Sequence, residues 1–514
     1  MRDFPESGPD PLVRPDGLQN GVAAPMVPGE VVNNENPEDV FERVVIWQPW
    51  SYPVPVDVLV EGMSDVDRGF IMAVYRLAQN LYGQIPMRKN GEAAFTHPTN
   101  VAMYLKRARC QPYVIAAGLL HDFIEERVDL EKAAIRSEIA ARIKAEVTSR
   151  INARIRAELT ASMNSFDVRD IAGADSTDRV ETARRQVRVD LATQTRAAIA
   201  QLDASILLND EIGELVKQEM GRVSLSDLEN AIRGDFGREI NRITDRTGFP
   251  RHVAARVVET VWLLTRHKSD LYYRSISGIF INSDLTIRVA AALVKLADRM
   301  HNIQTIDNYE SSEKLYQCFK NLFILNNSQQ LLATRSESMD WRMSYSLDKM
   351  FKKSGKALFE ALHNLAHTAD SSQKVFKVVS YLALALRKYI HEQDGLARVN
   401  QECACPGAPV HAIFDGIVIK YDHRLHGEMD AFLQQQDREL GYMRATFGTL
   451  GLSDDDLREA VAYKDAMALL EVVGMLVYRK DFMILDFQCS ALCRRGQMCT
   501  RRAAGPENSG SEQD

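Results

Sequence analysis

Residues 112–126, with the sequence PYVIAAGLLHDFIEE, decide how the rest of the chain is interpreted. The run Val114–Leu120 (VIAAGLL) is apolar on every side, which is typical of a helix buried in a protein core. This helix leads into four polar side chains: His121, Asp122, Glu125 and Glu126. In a continuous helix, their spacings of three and four residues place them on neighbouring turns of one face. The segment therefore predicts a buried helix that ends in a cluster of reactive groups.

Two further segments also combine an apolar helix with polar groups. Met87–Pro98 (MRKNGEAAFTHP) contains two cations and a glycine turn, and His97 stands just before a proline that is favoured at helix starts. Ile287–Thr305 (IRVAAALVKLADRMHNIQT) predicts a second apolar helix, which leads into Asp298. Two polar residues follow Asp298 by one turn and by nearly two turns: Asn302 and Thr305.

The chemistry of these groups indicates a metal site. Carboxylates packed at the end of a buried helix repel one another and resist loss of water. A divalent cation would relieve both costs. Two imidazoles and two carboxylates, with water in the remaining positions, suit Mn²⁺ or a similar ion. A single His-Asp pair is a weak signal, but three separated segments of this kind form a much more specific pattern.

The three segments resemble the HD superfamily of metal-dependent phosphohydrolases, and most closely the hydrolase domain of RelA/SpoT-type alarmone enzymes. That family carries Arg-Lys-x-Gly…His-Pro, then His-Asp-x-x-Glu-Asp after an apolar run, then Lys-Leu-Ala-Asp-Arg-x-His-Asn-x-x-Thr. The matching residues here are 88–98, 119–126 and 295–305. The resemblance extends over about residues 66–126 and 224–310.

The resemblance implies a role for each matched residue. It implies four metal ligands: His97, His121, Asp122 and Asp298. It implies two carboxylates that position or deprotonate the attacking water: Glu125 and Glu126. It implies contacts with the nucleotide base or phosphates by Arg88 and Lys89. It also implies a sugar–phosphate pocket lined by Asn302 and Thr305.

The implied activity is removal of the 3′-diphosphate of (p)ppGpp, a guanine nucleotide. A metal lowers the pKa of bound water, and a neighbouring carboxylate takes the proton. No strand-rich synthetase pattern follows downstream, so we expect a hydrolase-only protein. Two features depart from the family. Glu126 stands where Asp is usual, which puts the rate or regiochemistry in doubt, and residues 127–223 are inserted directly beside the reactive helix.

Two alternatives remain open at this stage. The first is an HD phosphohydrolase that acts on another nucleotide, such as a dNTP, and the pair Arg88 and Lys89 weakly favours (p)ppGpp over it. The second is a helical interaction protein with a residual nucleotide-binding HD domain. The insertion and the helical C-terminal region favour that protein, whereas the intact set of metal ligands argues against it.

The expected fold is mainly α: an HD-domain helical bundle with a long helical insertion and an additional helical C-terminal region. The insertion is rich in Ala, Arg, Glu and Ile at helical spacing and predicts paired helices broken near Gly173. One short strand is predicted within His411–Lys420. The expected divisions are a flexible arm (1–43), the HD domain (44–126 plus 224–310), the insertion (127–223), a helical region of unknown role (311–501) and a disordered tail (502–514).

Several other groups carry weaker signals. Val261–Ile279 combines cationic and aromatic side chains that either bind phosphate and base or simply connect two helices. His301 is interpreted as a structural residue, because four ligands already exist. Two further sets are interpreted as ordinary side chains rather than zinc ligands. They are His363 with His367, and Cys403, Cys405, Cys489, Cys493 and Cys499.

Composition excludes several classes of protein. The 514 residues are 45% hydrophobic and 26% charged, as in ordinary globular proteins. The net charge of −7 disfavours a nucleic-acid partner, and seven cysteines are too few for a disulfide framework. No apolar stretch is long enough for a membrane span. We therefore expect a cytoplasmic protein without a membrane partner, in which the insertion could join copies into a homo-oligomer.

Overall fold

The computed structural model of the protein describes residues 44–88, 91–165, 206–267, 272–335, 338–368 and 412–478, together with isolated residues between 181 and 193 and between 375 and 382. Every regular element formed by these residues is helical, which confirms the mainly α prediction. The α-helices are α1 (Val56–Val60), α2 (Asp65–Tyr82), α3 (Thr96–Arg107), α4 (Pro112–Leu119), α5 (Phe123–Ser165), α6 (Ile206–Met220), α7 (Leu225–Thr247), α8 (Arg251–Leu264), α9 (Tyr272–Ile281), α10 (Leu285–Gln304), α11 (Ser311–Arg335), α12 (Trp341–Thr368), α13 (Ala412–Leu425), α14 (Met429–Phe447) and α15 (Asp454–Tyr478).

Local sequence explains where several of these helices begin. The hydroxyl of Ser64 accepts a hydrogen bond from the backbone amide of Asp67 at the start of α2, and Ser224 caps α7 in the same way. The Asp284 carboxylate accepts from two backbone amides at the start of α10. Such caps satisfy amides that have no partner within the helix. The start of α10 is important because this helix carries Asp298.

Helix α10 lies at the centre of the molecule. It packs against α3, α4, α8, α9, α11 and α12. Its residues from Val289 to Ala297 are buried, as the apolar sequence predicts. One hydrophobic cluster extends from Val54 to Leu476 and includes residues of α11, α12 and α15. The C-terminal helices therefore share a core with the helices that carry the three motifs.

The segment around His121 differs from the predicted continuous helix. Helix α4 ends at Leu119, and a turn at Leu120–Asp122 precedes α5, which begins at Phe123. Backbone hydrogen bonds from Leu120 to Ala117 and from Phe123 to Leu120 close this turn, and the His121 imidazole Nδ1 pairs with the Gly118 carbonyl oxygen at 2.9 Å. This bond satisfies a carbonyl at the helix end. The interpretation of all four reactive residues as one helical face was therefore wrong.

A close contact between α3 and α4 brings two of the predicted ligands together. Gly118 faces α3, and a Cβ atom at this position would overlap the Leu105 side chain. The absence of a side chain lets the helix backbones approach closely. His97 lies in the first turn of α3, and His121 lies in the turn after α4. This contact between the helices therefore helps to set the distance between the two imidazoles.

The insertion forms a helical pair in its described part. Helix α5 runs without interruption from the reactive turn to Ser165, and α6 packs against it through Ile143, Val147 and Val216. Arg142 and Glu219 form an ion pair at 3.5 Å across the two helices. The pairing agrees with the predicted helical hairpin, whereas the break predicted near Gly173 falls outside the described residues.

The strand predicted within His411–Lys420 is wrong, because α13 spans Ala412–Leu425. The helical period buries Ile417, Lys420 and Tyr421. Lys420 forms ion pairs there with Glu439, at 2.7 Å, and with Asp465. The predicted arm 1–43, the tail 502–514 and the five cysteines interpreted above lie outside the described residues. Within the described chain, no helix is long and apolar enough to cross a membrane.

Candidate metal centre

Three separate elements bring the predicted ligands together. His97 lies in the first turn of α3, His121 and Asp122 lie in the turn before α5, and Asp298 lies in α10. The ligand atoms of His97, His121 and Asp122 lie within 4.8 Å of one another. Asp298 Oδ1 lies 3.3 Å from His97 Nε2 and 4.0 Å from His121 Nε2. The site therefore presents two imidazole nitrogens and two carboxylates to one small volume.

The orientation of His121 suits a metal ligand. Its Nδ1 lies 2.9 Å from the Gly118 carbonyl oxygen, which only accepts hydrogen bonds, so Nδ1 carries the proton. The ring directs Nε2 toward Asp122, 3.0 Å away, and toward His97 Nε2, 3.2 Å away, and this nitrogen offers a lone pair to a cation once it is deprotonated. Metal-binding histidines are commonly oriented by this kind of bond to a carbonyl group. The donor set thus fits a divalent cation.

Cations and an amide hold Asp298 as a carboxylate. Lys295 Nζ lies 2.9 Å from its Oδ2, and Arg299 donates to the same oxygen at 3.2 Å. The amide of Asn302 donates to Oδ1 at 2.5 Å. Burial alone would raise the pKa of Asp298, but Arg299 and Lys295 outweigh it and hold the pKa well below its usual range.

The two candidate histidine ligands differ in their protonation. Burial, followed by the charge of Arg88, lowers the pKa of His97 to about 4, so the ring is neutral at pH 7. Burial also disfavours protonation of His121, but the Asp122 carboxylate outweighs it and raises the pKa of His121. A metal ion would compete with the proton shared by His121 and Asp122.

His301 contacts His97 on the side of the ring that carries Nδ1. Its Nδ1 lies 3.1 Å from His97 Nδ1, and its side chain is fully buried. Burial, followed by the neighbouring His97, lowers the pKa of His301. A neutral His301 that accepts a hydrogen bond from His97 would leave His97 Nε2 free for a metal. The sequence interpretation of His301 as structural thus misses its contact with a ligand.

The two glutamates stand on the first turn of α5, where the helix amides favour negative charge. Glu125 Oε1 accepts a hydrogen bond from the backbone amide of Arg266. Burial and the nearby Asp122 carboxylate raise the pKa of Glu125. A carboxylate with a raised pKa accepts a proton more readily than an ordinary one. Glu126 lines the same cleft.

The centre opens into a cleft of about 330 Å³. Five cationic side chains line it: Arg88, Arg266, Lys295, Arg299 and Lys320. Four carboxylates line it as well: Asp122, Glu125, Glu126 and Asp298. Tyr309 and Gln317 complete one wall. Clusters of lysine and arginine beside a metal site suit phosphate groups.

The predicted substrate residues occupy different positions. Arg88 lines the cleft and donates to Asn302 Oδ1 at 3.0 Å, which places both residues beside Asp298. Thr305 caps the end of α10, where its hydroxyl donates to the His301 carbonyl at 3.0 Å, and it does not line the cleft. Lys89 falls outside the described residues.

Sequence reasoning did not assign a role to several cleft residues. Lys295 and Arg299 belong to the third motif. Their positions, three residues before and one residue after Asp298, could have predicted that they contact this carboxylate. Gln317 and Lys320 come from α11, within the region of unknown role, and nothing in the sequence linked them to the motifs. Arg266 reaches the cleft from the segment that had two open interpretations.

The remaining candidate sets add no second metal centre among the described residues. His363 is exposed on α12, and the side chain of His367 is outside the described part. His267 Nδ1 pairs with Glu229 at 2.8 Å, which leaves it a structural role in the segment Val261–Ile279. No protein-family model matches the chain, and a search of curated proteins found no match.

Proposed function

We propose that the protein is a metal-dependent phosphohydrolase that uses Mn²⁺ or a similar ion. The observation that carries the proposal is the convergence of His97, His121, Asp122 and Asp298 at the base of a cationic cleft. Mixed imidazole and carboxylate ligands suit Mn²⁺ and other first-row ions. A metal bound by these residues would supply a water of lowered pKa and polarise a phosphoryl oxygen.

The charge of the cleft supports a substrate with several phosphates. Five cationic and four carboxylate side chains line it, so a divalent cation would leave a surplus of three positive charges when Lys320 is protonated. A simple phosphate monoester carries at most two negative charges. A bis-diphosphate such as (p)ppGpp carries more, and its charge matches the cleft better. The likeness of the motifs to alarmone hydrolases favours the same substrate.

The side chains divide the reaction between them. Glu125, held by the Arg266 amide, accepts the proton of the attacking water. The water oxygen bonds to the phosphorus next to the 3′ oxygen, and the bond from that oxygen to phosphorus breaks. The 3′ oxygen gains a proton, so the products are GDP or GTP and pyrophosphate. Arg88 and Lys320 contribute positive charge where the phosphates lie.

The test is pyrophosphate release from ppGpp by the purified chain with Mn²⁺, beside the variants His121→Ala and Asp298→Ala. We expect turnover by the native chain and its loss in both variants. His363→Ala is the matched control, because this histidine is exposed on α12 and far in sequence from the motifs. Turnover of dNTPs but not ppGpp would retain the phosphohydrolase and reject the alarmone substrate. No turnover of any nucleotide would reject the enzyme.

A further inference from the structure

A second cleft, lined by none of the residues of the metal centre, lies where the α3–α4 loop meets the start of α12. Its volume is about 360 Å³. It is lined by Arg109, Cys110, Gln111, Pro112, Trp341, Arg342 and Tyr345. This size is within the range of small-ligand sites. Two arginines and two aromatic rings therefore line one concave surface.

The aromatic rings are exposed rather than packed in the core. The side chains of Trp341 and Tyr345 are 70% and 44% exposed, although both belong to a helix that is buried along its other face. They lie four residues apart, on one side of α12. An exposed indole offers a flat surface on which a nucleobase can stack.

The arginines stand over these rings. The Arg342 guanidinium lies 5.4 Å from the Trp341 ring centre, and that of Arg109 lies 6.0 Å from the Tyr345 ring centre. Neither forms an ion pair with a carboxylate of the described chain, in contrast to Arg127, Arg444 and Arg458, which do. A guanidinium is well suited to bind a phosphate through two hydrogen bonds.

The backbone at Arg109 adds an independent observation. Its φ is 63°, and it is the one residue other than glycine with positive φ in the described chain. Arg109 is the second residue after the end of α3, and the Cys110 amide donates a hydrogen bond back to the Leu105 carbonyl at 3.0 Å. Glycine is the usual residue in this helix-ending turn. This turn places Arg109 on the wall of the cleft.

From these observations we propose that this cleft binds a nucleoside phosphate, with its base on Trp341 and its phosphate on Arg109 and Arg342. The proposal is independent of the reaction at the metal centre. The volume of about 360 Å³ is that of a small-ligand site, which favours a mononucleotide over a nucleic-acid strand. The loop that carries Arg109 joins α3 to α4, the helices beside His97 and His121. A ligand here would therefore contact the scaffold of the metal centre.

The test is calorimetric titration of the full chain with GMP in a buffer containing EDTA, which removes divalent metal from the first site. We expect GMP to bind, and at least a tenfold weaker affinity in both Arg109→Gly and Trp341→Ala. Arg109→Gly suits its turn, so this variant should fold with an unchanged or higher Tm. Arg458→Ala, at an exposed arginine of α15, is the control and should bind GMP like the native chain.

Three outcomes would overturn the proposal. One is the absence of GMP binding by the native chain. Another is equal affinity of the native chain and the two cleft variants, which would place GMP elsewhere. The third is a result that excludes a bound mononucleotide. Equal affinity for GMP and ribose 5-phosphate would show that the base does not contribute to binding, and binding of a single-stranded oligonucleotide alone would show that the ligand is a nucleic-acid strand.

Discussion

Replacing Lys320 by methionine should weaken substrate binding without disturbing the metal centre. Lys320 lines the cleft from α11, outside the segments that resemble known hydrolases. A hydrogen bond to a charged group contributes about 1.5–3 kcal/mol. Loss of one such bond corresponds to a rise in KM of roughly 10- to 150-fold, since 1.4 kcal/mol is a factor of about ten. We expect kcat and metal content to change little.

The assay is the initial rate of pyrophosphate release as a function of ppGpp concentration. Lys314→Met is the control, because Lys314 stands on the same helix but lines a different cleft. A KM for Lys320→Met within twofold of the native value would refute the assignment of Lys320 to a substrate phosphate. A loss of metal would instead show that the residue supports the centre.

The pH dependence of KM gives a second readout for the same residue. Burial, followed by the nearby charge of Arg299, lowers the pKa of Lys320 from its usual value to about 7. The side chain is therefore cationic below pH 7 and loses its charge as the pH rises through 7. The KM should rise over that interval in the native chain. Lys320→Arg stays charged throughout, so its KM should rise less.

Three further predictions concern the base, a buried ion pair and the metal. Glu125→Gln should lower kcat by roughly 10²- to 10⁴-fold with unchanged metal content, and an unchanged kcat would exclude Glu125 as the base. Lys420→Met leaves Lys464 and the Tyr421 hydroxyl as the partners of Asp465 and should lower the free energy of unfolding by about 1–3 kcal/mol, measured by urea denaturation, while ppGpp turnover per folded molecule stays the same. Mn²⁺ at 100 times its Kd should raise the free energy of unfolding by about 2.7 kcal/mol, and an equal urea midpoint with Mn²⁺ and with EDTA would contradict metal binding.

The helical fold and the grouping of the ligands could be predicted because local sequence and burial agree. Apolar runs such as Val114–Leu120 and the run before Asp298 are buried in the core, because exposing them to water would be unfavourable. Once several such helices pack together, polar residues at their ends or in the facing turns meet. The turn at Leu120–Asp122 could not be predicted from spacing, because spacing does not distinguish one continuous helix from two helices joined by a turn.

Other features depended on contacts between residues distant in sequence. The strand prediction at His411–Lys420 failed because the helix buries Lys420, and that burial depends on Asp465 and Glu439, which stand on later helices. Lys320 reaches the cleft because α11 packs on α10. Hydrophobic period alone gives no information about which helices will be neighbours.

We expect three separate parts of the chain to hold one metal ion jointly, and metal analysis tests this directly. The native chain should retain about one Mn²⁺ per molecule after dialysis, as expected for a mixed imidazole and carboxylate site. His121→Ala and Asp298→Ala should each retain almost none while remaining helical, and His363→Ala should match the native chain. A native chain that retains no metal, or ligand variants that retain as much as the native chain, would contradict the account.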